Sequence, residues 1–85
     1  MADLPSKSAL SEALAAVTPL HDDYERTTLK GVVDERWAGF YAAYVIGRLG
    51  DFASAGRIAA LLEEVPEQEN WPAVAAAHVL TKLRS

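Results

Sequence analysis

Apolar and polar positions recur with a helical period along most of the chain. Leu10, Ala13, Leu14 and Val17 fall on one stripe with Ser8 and Glu12 opposite, and Ser6 or Ser8 can cap it, which predicts a helix over about 6–17. Residues 1–5 read as a frayed terminus. Phe52, Ala55, Ile58, Ala59, Leu62 and Val65 share a face, with Arg57 and Glu64 opposite. That pattern predicts a helix capped by Asp51 or Ser54 and ending before Pro66. Asn70 is the expected cap of a last helix, with Pro72 tolerated in its first turn and Ala75, Ala76, Val79, Leu80 and Leu83 as its apolar arc. Trp71 and His78 lie along one edge of it.

Asp34 to Gly50, DERWAGFYAAYVIGRLG, breaks this pattern because it carries no charge between Arg36 and Arg48. A helix apolar all round is expected to be buried, so this stretch predicts a central helix over about 34–49, capped by Asp34 and stopped by Gly50. It is too short to span a bilayer, which takes about 20 residues. Trp37, Tyr41, Tyr44 and Arg48 share one side, and Ala38, Ala42, Val45 and Leu49 a second. Gly39, Ala43 and Gly47 form a third, small enough for a neighbouring helix to approach closely.

The stretch 18–31 is less regular. Thr18-Pro19 resembles a fresh helix start, with Asp22 and Asp23 where the helix dipole favours acids and Gly31 placed to close the element in a left-handed turn. Leu20 and Tyr24 are its clearest stripe, while Thr27-Thr28 are poor helix formers. Either a short helix over 19–29 or an irregular loop across the central helix fits. The predicted fold is therefore all-α: one domain over residues 1–85, a small bundle of four to five helices around a buried central helix.

Composition narrows the function classes. The 85 residues are 51% hydrophobic with a net charge of −4 and no cysteine, and the mean hydropathy is near zero, +0.03. Disulfides, thiol catalysis and cysteine-held zinc are excluded, and the pattern fits a cytoplasmic protein. The start of the chain lacks the basic and apolar segments of a signal peptide. The acidic balance argues against nucleic acid, and no helix offers a basic recognition face for a helix-turn-helix reading. No P-loop, GxGxxG or nucleophile elbow is present. The chain is read as non-enzymatic, with no cofactor and no metal expected.

Three features could carry binding chemistry. Trp37, Tyr41 and Tyr44 with Arg48 could line a pocket that holds an anion, against the plainer and favoured reading that aromatics at helical spacing are core. His21 and Glu25, four apart beside Asp22, could form a carboxylate–imidazole metal site with His78 brought in by folding, against the plainer reading of a charged first turn. Glu63, Glu64, Glu67 and Glu69 could dock a basic partner, against the plainer reading of a solvated loop.

HDDYER followed by WAGFYAAYVIGR resembles a pattern in small uncharacterised bacterial helical proteins. They carry a His-x-x-Tyr/His-Glu stretch before a Trp-Ala-x-x-Tyr-Ala-x-Tyr helix. The resemblance covers His21–Arg26 and Trp37–Arg48 and implies no activity. It implies that the two segments form one unit, with His21, Glu25, Tyr41, Tyr44 and Arg48 around any site. The leading expectation is a protein-interaction module pairing with itself as a homodimer or with another protein. The alternative is a small-ligand or metal-binding protein using His21, Glu25, Trp37, Tyr41, Tyr44 and Arg48.

Overall fold

The computed structural model describes residues 3–31 and 36–84. They form four helices: α1 (Lys7–Thr27), α2 (Trp37–Leu49), α3 (Ala55–Glu63) and α4 (Trp71–Arg84). Ser6 caps α1, its hydroxyl accepting from the Ala9 N–H at 3.0 Å, and Ser54 caps α3 in the same way from Arg57 at 3.2 Å. Gly50 ends α2 with φ 99°, and its N–H donates to the Ile46 carbonyl. The expected cap at Asp34 lies outside the described residues.

α1 is where the fold departs most from expectation. The helices expected over 6–17 and 19–29 are one helix of 21 residues that runs through Pro19. Proline lacks the N–H that would meet the Ala15 carbonyl, a defect that costs about 3 kcal/mol in a helix interior. Continuous burial outweighs it, because Leu10, Ala13, Leu14, Val17 and His21 all face the core. Thr18 does not act as an N-cap; its hydroxyl donates back to the Leu14 carbonyl at 3.0 Å. The register places His21 inside, 4% exposed, and leaves Leu20 51% exposed, the reverse of the expected stripe. Gly31 is not the cap of this helix: Thr28 ends it in right-handed geometry, its N–H donating to the Tyr24 carbonyl. Lys30 at φ 55° and Gly31 at φ 87° follow, the Gly31 N–H donating to the Glu25 carbonyl at 2.8 Å.

The helices close a ring in which α1 packs on α2 and α4, and α3 joins α2 to α4. No helix is central. α2 buries Ala38, Tyr41, Ala42 and Val45 but exposes Gly39, Ala43 and Gly47. The missing charge that suggested a buried helix reflects an outward edge of residues too small to present much apolar area. No described helix is long and apolar enough to cross a membrane.

Candidate binding cleft

The aromatic residues gather where α1, the start of α2 and the start of α4 meet. Trp37 and Tyr41, one turn apart on α2, pack edge to face with ring centroids 5.2 Å apart. Trp71 meets both rings at 5.7 Å, again near perpendicular. Its indole N–H donates to the Val65 carbonyl at 3.2 Å, which fixes the ring against the α3–α4 connection. The three rings thus form a corner rather than a stack, each edge set against a neighbour's face, the arrangement their quadrupoles favour.

His21 lies behind this corner. Its ring packs edge-on against Phe40 at 5.0 Å and Tyr41 at 5.3 Å, and Tyr24 completes the group. The Tyr41 hydroxyl donates to Thr18 at 3.3 Å, and Thr18 in turn donates to the Leu14 carbonyl. Burial, with the nearby charges of Asp22, Glu25 and Glu67, pushes the Tyr41 phenol above its ordinary 10.0. Tyr41 therefore stays an uncharged donor at physiological pH.

A cleft of about 730 Å³ opens over these rings. Its aromatic lining is Trp37, Tyr41 and Trp71, and its carboxylates are Glu25, Glu67 and Glu69. Pro19 and Pro72 are also part of the lining, and none of its described residues is Lys or Arg. Pro19 also leaves the Ala15 carbonyl, on the same lining, without its usual helical donor.

Of the expected site residues, His21, Glu25, Trp37 and Tyr41 come together here, whereas Tyr44 and Arg48 are not part of the lining. Arg48 lies roughly 16 Å along the helix from Trp37 and donates to the Tyr44 hydroxyl at 3.2 Å. The anion-holding arrangement is thus not assembled. Trp71, Glu67 and Glu69 complete the site instead. Trp71 could be placed on a helix edge from the sequence, and the acidic run could be read as a docking surface, but their meeting with Trp37 depends on the bundle closing.

His21, Asp22 and Glu25 have donor atoms within 4.8 Å of one another, with His21 Nδ1 and Glu25 Oε1 3.9 Å apart. Tetrahedral zinc, bound at about 2.0–2.1 Å, sets its ligands roughly 3.4 Å apart, so the trio is looser than a formed zinc site. His78 does not join it; it pairs with Glu64, Nε2 to Oε1 at 2.7 Å, because the end of α3 lies beside α4. No family model, curated protein or solved structure matches the chain.

Proposed function

We propose that this protein is a non-enzymatic binding module whose cleft over Trp37, Tyr41 and Trp71 receives its partner. One observation carries the reading: the three rings that organise the aromatic cluster also line a cleft of about 730 Å³ together with Glu25, Glu67 and Glu69. Concave sites with an aromatic floor and a few polar groups at the rim are the usual form of a recognition site. The lining offers no activated nucleophile and no acid–base pair placed about a reacting atom, which favours recognition over catalysis.

Self-association belongs to the same reading. A chain of 85 residues buries a limited share of its surface, and the exposed Leu20 and Val74 are side chains a second copy would cover. A fragment screen read by amide chemical shifts tests the cleft. Hits should cluster at Thr18, His21, Trp37, Tyr41 and Trp71; hits spread over the surface, or gathered on the outer edge of α2, would overturn the assignment.

A further inference from the structure

We infer that the cleft's occupant is a basic peptide segment of a partner protein, with a lysine or arginine side chain laid against Trp37 and Trp71 among Glu25, Glu67 and Glu69. This rests on the binding-module reading and names what the module recognises.

The charge of the lining points one way. Its acidic side chains are Glu25, Glu67 and Glu69, no described lining residue is lysine or arginine, and neither Glu67 nor Glu69 makes an ion pair among the described residues. An anionic occupant would meet three carboxylates and no lysine or arginine among the described lining residues, and a purely apolar one would bring no partner for those carboxylates. The net charge of −4 favours cationic partners in general.

The rings point to the kind of cation. A guanidinium or ammonium is attracted to the face of tryptophan within about 6 Å of its centroid. Trp37 and Trp71, with centroids 5.7 Å apart, both line the cleft, so a cation side chain entering it lies beside two indoles. The aliphatic stem of Lys or Arg can lie along aromatic and proline surface while its head reaches the carboxylates.

The dimensions favour a peptide over a free amine. A cleft of about 730 Å³ is larger than one ammonium group fills. The acids are also distributed, with Glu25 on α1 and Glu67 and Glu69 on the α3–α4 connection. A segment carrying successive basic side chains reaches both groups at once; a single charge reaches one.

The test uses the full chain and four probes: acetylated and amidated tetralysine, tetraarginine and tetraglutamate, and butylammonium, followed by tryptophan fluorescence and calorimetry. Tetralysine or tetraarginine should bind saturably, more weakly at higher salt. The double substitution Glu67→Gln/Glu69→Gln should weaken binding about fivefold, as expected for two exposed charge pairs. Glu12→Gln, on an exposed position away from the cleft, should leave it unchanged. Equal loss with both variants would mean diffuse attraction and overturn the assignment. Butylammonium binding as tightly as the peptides would identify a free amine instead. Tetraglutamate binding in the cleft would overturn the cationic occupant while leaving the binding module standing. If none of the four probes binds there while fragments do, the peptide inference fails alone; if fragments also miss the cleft, the module reading fails with it.

Discussion

The imidazole of His21 and the phenol ring of Tyr41 meet edge to face, with centroids 5.3 Å apart, and join α1 to α2 behind the cleft. His21 is buried among rings, so its contribution is mainly one of packing. Replacing it with alanine removes that filling and should destabilise the fold by about 2–3 kcal/mol, near the lower range for large buried side chains. Leu20→Ala, one residue earlier, should change stability by less than about 0.5 kcal/mol. Urea unfolding of the two variants checks the register of α1; a larger loss from Leu20→Ala would show that the helix is turned the other way.

Tyr41 gives the fold an alkaline limit. Its phenol titrates above 10.0 when folded, so the folded state holds the proton that the unfolded state releases first. That contribution is fully present below pH 10 and declines as pH rises from 10 through the folded value. Tyr41→Phe should lose up to about 1 kcal/mol at neutral pH through the Thr18 hydrogen bond. The same variant should flatten the loss of stability above pH 10. Parallel unfolding curves from pH 7 to 11 measure both effects, and a wild-type slope equal to that of Tyr41→Phe would count against the burial of the phenol.

Pro19 interrupts one rung of a continuous helix, and Pro19→Ala restores it. The expected gain in stability is about 1–2 kcal/mol, the interior cost of proline less the entropy the ring removes from the unfolded chain. If residues 18–19 began a separate helix, the same substitution would instead be neutral or harmful, and thermal unfolding separates the two cases.

An alanine Cβ at Gly39 or Gly47 would meet nothing within 4 Å. Each Gly→Ala change should therefore add about 0.5–1 kcal/mol through helix propensity alone. Sedimentation run beside the stability measurement adds a test of self-association: a dimer through this edge of α2 would be weakened by the substitutions, whereas one formed elsewhere would keep its affinity.

These cases show what could be read from the residues. The amphipathic stripes of α3 and α4, the Ser54 cap and the Gly50 stop are local features, and local physics places them. His21 was within reach as well: at 3.6 residues per turn, the stripe through Leu10, Leu14 and Val17 continues to His21 rather than Leu20. Pro19 obscured this, because its local signal favours a break and only the packing of the whole helix overrides it. The uncharged run in α2 misled for a related reason, since absence of charge marks burial only when the side chains are large. The cleft was legible only in pieces. Trp37, Tyr41, Trp71 and the acidic run each stood out, but nothing in the spacing of positions 37 and 71 shows that their rings touch.

The most direct measurement follows the two indole N–H signals of Trp37 and Trp71 in a ¹H–¹⁵N spectrum while tetralysine is added. The chain has two tryptophans, and both line the cleft. Both signals should move together and saturate at one shared dissociation constant. Two stationary indole signals, while amides elsewhere shift, would contradict the account.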